Sequence, residues 1–300
     1  MKRFFALLLL LCLPLSALGE VSKEEVIYAK LALDGEVTAL YVINAFECDG
    51  EESVSDYGAY TQRISLTDSR SLPQTGEEAA LTLSSGRYSY QGNGLDKPLP
   101  WLLSLSATLN GEPVSPAGLG GASGDIGLTL SVKNNPAAEP VSGYTLQITL
   151  TLDGALCRNI QAPGGTIAVS GGSRQVTYAL LPGMEAEYTV TFQAENFRMD
   201  GIQAGGVRMN MDAKMYAELF TAGMADPAAA LIRSAAQSAI ASMTAGEAVS
   251  FADSRNAVSL VQFVLVTDSI ERPVEETAAE AQAEAEPQGF WQRLLALFGL

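Results

Sequence analysis

Apolar and polar residues alternate with a period of two in many short stretches of the chain. The clearest stretch is 101–109, in which Trp, Leu or Ala occupies every odd position. The same alternation recurs at 126–133, 144–152, 176–180 and 188–192. Successive side chains of a strand point to opposite faces, so this pattern predicts strands with one buried face and one solvated face. Such strands are typical of a mainly β fold, an antiparallel β-sandwich of the Ig-like kind.

Turn residues separate these stretches and set the limits of the predicted strands. Asp34-Gly35 stands between apolar-rich runs at 26–33 and 37–46, and Asn110-Gly111 follows the stretch at 101–109. Both dipeptides favour tight β-hairpins. Further strands are predicted at 80–83, 87–91 and 258–266.

The period changes near residue 213 to that of a helix. Asp226 supplies an N-cap before Pro227, Ala-rich sequence runs to Met243, and Gly246 is placed to end the helix. Its apolar stripe consists of Leu231, Ile232, Ala235, Ala236, Ala239, Ile240 and Met243. We interpret this small α-helical segment as packing against the sheet or a neighbouring helix, with partner binding as the alternative.

The last twelve residues, 289–300, predict a C-terminal amphipathic helix. Its apolar arc consists of Phe290, Trp291, Leu294, Leu295, Leu297 and Phe298. Such a helix is roughly 18 Å long, which is too short for a hydrocarbon core of roughly 30 Å. It therefore predicts docking on a membrane surface, on an envelope protein partner or on its own domain. The glutamates of the preceding linker oppose binding to anionic lipid.

The first nineteen residues have the pattern of a secretory signal peptide. Lys2 and Arg3 precede an apolar run at 4–13, and Ala17 and Gly19 are the small residues of a cleavage site. We expect an exported chain that starts near Glu20 and works in the cell envelope or outside the cell. The predicted organisation is: signal peptide 1–19, N-terminal β domain 20–100, Ig-like β-sandwich 101–212, helical segment 213–247, closing β-strand region 248–270, acidic Ala/Glu linker 271–288 and amphipathic helix 289–300.

Composition excludes several classes of function. The chain has 34 acidic and 18 basic residues and a net charge of −16, so nucleic acid binding is not expected. It has no histidine, which excludes Ser-His-Asp and Cys-His catalysis and His-ligated metal sites within this chain. A carboxylate pair of the glycosidase kind is the enzymatic chemistry that remains.

Two cysteines remain after the signal peptide, Cys48 and Cys157, and outside the cytoplasm they can form one disulfide. The alternative is two buried thiols. No cofactor is expected, although the acidic residues of one predicted loop offer a weak calcium site. These residues are Glu47, Asp49, Glu51, Glu52 and Asp56.

Two further patterns are interpreted as structural rather than functional. The segment 72–76 matches the LPXTG sortase signal, but Glu77 and Glu78 follow it where an apolar span belongs, which indicates a chance match in a loop. A group of tyrosines could present a sugar-binding platform, although strand tyrosines more often pack half-buried. These are Tyr57, Tyr60, Tyr88 and Tyr90.

Several short phrases of the sequence recur together in one order, namely 25–30, 56–58, 90–92 with 99–101, 151–153 with 157–160, 178–183, 199–202 and 261–264. In these phrases the chain resembles a family of largely uncharacterised exported envelope proteins of Gram-positive anaerobes. Longer members carry a helical insertion similar to that of phage infection (Pip-like) proteins, and 213–246 occupies its place here. The resemblance implies an envelope location and no established catalytic residues.

These observations together predict a non-catalytic exported module of the cell envelope. The β-sandwich would be a scaffold displayed at the cell surface, and the C-terminal helix would dock on a membrane or a partner. A carboxylate-based hydrolase of envelope polymers is the alternative.

Overall fold

The computed structural model describes residues 21–74, 76–139, 143–208 and 248–272. The fold is mainly β, as the alternation predicts. The strands are β1 (Ser22–Leu31), β2 (Val37–Cys48), β3 (Glu52–Tyr57), β4 (Gln62–Ser65), β5 (Glu78–Leu83), β6 (Gly86–Asn93), β7 (Trp101–Leu109), β8 (Glu112–Val114), β9 (Gly124–Asn134), β10 (Tyr144–Asp153), β11 (Cys157–Gln161), β12 (Thr166–Ser170), β13 (Ser173–Leu180), β14 (Ala186–Ala194), β15 (Gln203–Arg208) and β16 (Leu260–Thr267). A 3-10 turn at Pro116–Leu119 is the helical element of these ranges, and no helix within them has the length and apolar character to cross a membrane.

The strands form three sheets. A nine-stranded sheet has the order β12-β13-β10-β15-β16-β1-β2-β6-β4, a five-stranded sheet has the order β11-β14-β9-β7-β8, and β3 pairs with β5. Neighbours are antiparallel except β1 and β16, which run parallel from Glu24 opposite Leu260 to Leu31 opposite Thr267. The expectation of a wholly antiparallel sandwich is therefore corrected to a mixed one. Nearly the whole chain connects β1 to β16, and a parallel pair needs such a long crossover.

The five-stranded sheet packs on one face of the nine-stranded sheet. Trp101 of β7 contacts Tyr144 of β10 and Phe263 of β16, with ring centroids 6.1 and 5.2 Å apart. Fully buried aliphatic side chains fill the space between the sheets, among them Ile27, Leu128, Leu130, Val132, Ile148, Leu150, Val176 and Leu265. These residues occupy every second position of their strands, and this is why the alternation of apolar and polar residues predicted them to be buried.

The predicted hairpins are present. Gly35 joins β1 to β2 with a φ of 100°, and Asn110-Gly111 joins β7 to β8 with φ of 53° and 87°. A Cβ on Gly35 would lie 2.0 Å from the carbonyl oxygen of Leu103 in β7. The turn therefore needs glycine both for its backbone conformation and for its approach to the opposite sheet.

The predicted boundary at residue 100 does not coincide with a break in the structure. The nine-stranded sheet takes β1, β2, β4 and β6 from before residue 100, and the remaining strands from after it. Sequence alternation alone cannot show which strands share a sheet. The predicted closing region 248–270 contains β16, while the signal peptide, the helical segment 213–247, the linker beyond residue 272 and the helix 289–300 lie outside the described residues.

Candidate functional site

Three charged side chains lie together inside the protein, near the start of β1. Lys23, Glu25 and Asp56 have side-chain exposures of 5%, 0% and 1%. Charged residues are almost never this buried unless they are paired with one another. We call these three residues, together with Tyr90, the buried cluster.

The register of the nine-stranded sheet places two members of the cluster and their neighbours. Lys23 and Glu25 are two residues apart on β1, so they share its inner face. Lys23 lies opposite Phe46 of β2. Glu25 lies opposite Asn44, which in turn lies opposite Tyr90 of β6. The sheet thus presents Glu25, Asn44 and Tyr90 as one row across three adjacent strands.

The two-stranded sheet supplies the third charge from above this face. Asp56 lies on β3 opposite Ala79 of β5, and both are buried. Asn256 fixes this end of β3, since its side chain accepts from Tyr57 N at 2.8 Å and donates to Tyr57 O at 2.7 Å. The pairing of β3 with β5 and the hydrogen bonds of Asn256 to Tyr57 therefore fix the main chain at Asp56.

The ammonium of Lys23 lies between the two carboxylates. Its Nζ is 2.7 Å from Glu25 Oε1 and 2.5 Å from Asp56 Oδ1. The hydroxyl of Tyr90 donates to the other carboxylate oxygen of Asp56, Oδ2. Each oxygen of Asp56 thus has a different partner.

Glu25 is held from its other side by a segment near the end of the described chain. Ser250 Oγ donates to Glu25 Oε1 at 2.6 Å, and Phe251 N donates to Oε2 at 2.8 Å. Ala252 N lies 3.4 Å from the same Oε2. These contacts fix the orientation of the Glu25 carboxylate beside Lys23.

Burial raises the pKa values of Asp56 and Tyr90. Desolvation raises the pKa of Asp56 above its usual value, although the charge of Lys23 and the hydrogen bonds from Lys23 and Tyr90 act in the opposite direction. Desolvation and the nearby Asp56 also raise the pKa of Tyr90, so its phenol stays protonated and can donate. Asp56 is therefore protonated more readily in the cluster than an aspartate exposed to solvent would be.

Aromatic rings close the site to water. Lys23 Nζ lies 5.8 Å from the centroid of the Phe46 ring, and Tyr60 packs edge-on against Tyr90 at 6.2 Å. Tyr60 lies so close to Gly92 that a Cβ there would be 2.5 Å from its ring. The charged groups consequently interact in a medium of low polarity, in which an ammonium and a carboxylate attract each other more strongly than in water.

The predicted acidic loop is not a site in the structure. Glu47 lies on β2 and Glu52 on β3, and Asp56 points inward to Lys23 rather than outward to the loop. Asp49 and Glu51 remain in the turn between the strands. No group of three or more metal-ligating side chains occurs in the described part of the chain, so the calcium hypothesis is corrected. The prediction missed β3 because four of its six residues are polar.

The other candidate residues form no exposed site in the described part of the chain. Cys48 and Cys157 are both buried free thiols, and Cys48 Sγ donates to Ser84 O at 3.1 Å. Tyr60 and Tyr90 are buried, so they cannot form an exposed sugar-binding platform. The apolar arc Phe290, Trp291, Leu294, Leu295, Leu297 and Phe298 lies outside the described residues.

The LPXTG match is part of a packed loop. Leu72 is buried, and Gln74 donates from Nε2 to Arg63 O at 2.8 Å. The buried guanidinium of Arg63 donates to the carbonyls of Pro73 at 2.9 Å and Gly76 at 3.0 Å. These contacts give the segment a structural role and agree with the interpretation as a chance match.

A polar groove lies on the outer face of the nine-stranded sheet. Its volume is about 900 Å³, and its floor includes Thr149 and Thr151 of β10, Gln175 of β13 and Gln203 of β15. Pockets of roughly 300–1,000 Å³ hold small ligands in other proteins. Charged side chains of both signs also line the groove, namely Asp153, Arg198, Asp200, Glu271 and Arg272, so its lining does not favour a neutral molecule.

Sequence reasoning missed the buried cluster, although one signal was available. Lys23 and Glu25 have the same parity as the buried Ile27, Ala29 and Leu31, so extending the strand backwards from residue 26 places both charges on its inner face. Three of the phrases that carry the family resemblance, 25–30, 56–58 and 90–92, also meet at this place. Asp56 itself carried no local signal of burial.

Comparisons with known proteins give a weak likeness of fold. No protein-family profile and no curated protein sequence matches the chain. Among solved structures it is similar to the Fcho1 mu homology domain of Danio rerio with a bound Eps15 peptide, with 12% identity and a TM-score of 0.37. It is also similar to the yeast delta-COP-I mu-homology domain, alone and in complex with a Dsl1 WxWxV peptide, with 10% identity and TM-scores of 0.37 and 0.40. Each likeness covers 83% of this chain and 95% of the other. Scores this low carry no argument about function.

Proposed function

We propose that this chain is a non-catalytic module exported to the cell envelope. Its β-sandwich is a scaffold displayed at the cell surface, and residues 289–300 form a helix that docks on the membrane surface or on an envelope protein. The observation that supports the non-catalytic part of the proposal is the closure of the buried cluster, while export and docking rest on the sequence patterns at 1–19 and 289–300. The amine and the carboxylates that would be the best candidates for chemistry in the described chain are paired with one another inside the sandwich.

This closure also weighs against the hydrolase alternative. A glycosidase needs two carboxyl groups at roughly 5–10 Å on either side of a bound sugar. Glu25 and Asp56 instead share Lys23 Nζ, at 2.7 and 2.5 Å, which leaves no room for a substrate between them.

The Ig-like assignment of 101–212 belongs to the same proposal. Nine strands, β7 to β15, lie within 101–212, and they divide into five strands of one sheet and four of the other. Ig variable-type domains also use about nine antiparallel strands in two sheets.

The experiment is fractionation of producing cells that express the full chain or a form ending at Pro287. We expect the full chain to sediment with the membranes and the shortened chain to appear in the medium. Leu294→Glu places a charge on the apolar arc and should act like the truncation, whereas Gln292→Glu places the same charge on the opposite side and should not. Equal release of all four forms would overturn the docking part. Turnover of wall polymers by the purified chain, abolished by substitution of a single carboxylate residue, would replace the proposal with the hydrolase.

A further inference from the structure

The buried cluster brings an amine and a carboxyl group into direct contact in a dry interior. Lys23 Nζ is 2.5 Å from Asp56 Oδ1, and both side chains are almost fully buried. Loss of water is easier where water is excluded, and both partners are held by strands rather than by free loops. No function of the sandwich described above uses this contact.

We propose that Lys23 and Asp56 condense without an enzyme to form an intramolecular amide bond, with Glu25 as the proton carrier. The bond would join Nζ of Lys23 on β1 to Cγ of Asp56 on β3. It goes beyond the proposed function and does not depend on it, since it concerns a covalent modification of the scaffold itself.

The reaction begins with a proton transfer within the ion pair. The ammonium of Lys23 gives one proton to the carboxylate of Asp56, which yields a neutral amine and a neutral carboxylic acid. Desolvation by burial favours the neutral carboxyl form of Asp56. The raised pKa of Asp56 is in keeping with this step.

The neutral amine then attacks Cγ of Asp56 with its lone pair, and a carbon–nitrogen bond forms. Negative charge develops on Oδ2, where the Tyr90 hydroxyl is already a donor. Glu25, which lies 2.7 Å from the amine, takes a proton from the nitrogen and returns it to the departing hydroxyl. That oxygen leaves as water, the carbonyl re-forms, and Glu25 and Tyr90 end unchanged.

The position of Glu25 suits a proton carrier. Ser250 Oγ and Phe251 N donate to its carboxylate at 2.6 and 2.8 Å, so it stays oriented toward Lys23 throughout. Lys30, farther along the same strand, makes an ordinary ion pair with Asp268 at 2.9 Å with about half of its side chain exposed. Lys30 is the matched control, because its ammonium and its carboxylate partner are in water.

The test is mass spectrometry of the full chain purified from producing cells. We expect a mass lower than that of the linear chain by one water molecule. Trypsin does not cut after an acylated lysine, so a denatured digest should contain a branched peptide that joins the segment ending at Lys30 to segment 31–63. Fragmentation of that peptide locates the bond, and its detection does not depend on where the exported chain starts.

Variants decide the roles of the residues. Lys23→Ala and Asp56→Ala should keep the linear mass, Glu25→Gln should condense much more slowly, and Lys30→Ala should behave as the parent chain does. A parent chain with the linear mass and no branched peptide overturns the proposal without any variant, so misfolding of a variant cannot protect it. A water loss that persists in Lys23→Ala lies elsewhere and overturns it as well. Glu25→Gln condensing at the parent rate would refute the role of Glu25 as proton carrier.

Discussion

Replacing Arg63 with alanine should destabilise the protein far more than the loss of a surface charge would. The Arg63 side chain is buried and donates to four main-chain carbonyls, those of Pro73 at 2.9 Å, Gly58 at 2.8 Å, Gly76 at 3.0 Å and Glu77 at 3.4 Å. It thereby joins β4 to the loop at 72–77, which is also held by the buried Leu72 and by the hydrogen bonds of Gln74 to the main chain of Arg63.

The magnitude follows from the acceptors that the substitution leaves behind. A hydrogen bond from a charged donor contributes about 1.5–3 kcal/mol, and an unsatisfied buried acceptor costs about 1–3 kcal/mol. Since some of the four carbonyls will find water once the loop relaxes, we expect a loss of about 3–5 kcal/mol in the free energy of unfolding. In a domain of this size, that corresponds to a fall in Tm of about 10 °C or somewhat more.

Chemical and thermal unfolding of the parent chain and the Arg63→Ala variant measures this loss. The control is Arg87→Ala, which removes an ion pair to Glu24 at 3.1 Å from a side chain that is 49% exposed, and should cost less than about 1 kcal/mol. Arg63→Lys should fall between them, because an ammonium lacks the planar fork that reaches several carbonyls. Equal losses for Arg63→Ala and Arg87→Ala would refute the argument that buried donors hold this loop.

Three further predictions test other parts of the structure. Gly35→Ala should lower the free energy of unfolding by about 1–3 kcal/mol, measured by denaturant titration, because φ is 100° there and the new Cβ meets the main chain of β7. Burial raises the pKa of Cys157 to about 11, so this thiol should resist alkylation at pH 8, and Cys48 should resist it because it is buried. Both thiols should react in denaturant without reductant, whereas a Cys48–Cys157 disulfide would leave neither thiol to react. The pKa of Asp253 is lowered to about 2, first by the side-chain hydrogen bond from Arg255, so its contribution is present above its usual value and is lost as the pH falls through about 2. Because Arg255 is exposed and solvent screens the pair, the parent should lose about 0.2–1 kcal/mol relative to Asp253→Asn between pH 4 and 2. An identical acid unfolding curve for both chains would contradict this.

The sequence predicted strands where alternation was strong and missed them where burial involved polar groups. The strands β7, β9 and β10 each bury every second residue, so period two found them with nearly their observed bounds. β3 was hidden because its inward residue, Asp56, is charged. β12 was hidden because it lies at a sheet edge with four of its five residues exposed, so no buried face marks it.

The candidate site was beyond local reasoning for a related reason. A carboxylate is not predicted to be buried unless its hydrogen-bond partners can be identified. The partners of Glu25 are Lys23, two residues away, and Ser250, which lies 225 residues away in the chain. Asp56 similarly becomes reasonable as an interior residue only after β3 is placed over β1. Periodicity reports which face of a strand is buried, but it does not report which distant segment covers that face.

The place of β16 in the nine-stranded sheet has a consequence for how the protein reaches this state. β16 lies between β15 and β1, so without it the sheet divides into a half made of β12, β13, β10 and β15 and a half made of β1, β2, β6 and β4. A chain that emerges from its amino end keeps both halves open, each with an unpaired strand edge, until residue 267 has followed. Pairings this distant along the chain form slowly, and open edges invite association with other chains. The protein therefore avoids association during folding only if β16 pairs with β15 and β1 before these two open edges pair with other chains.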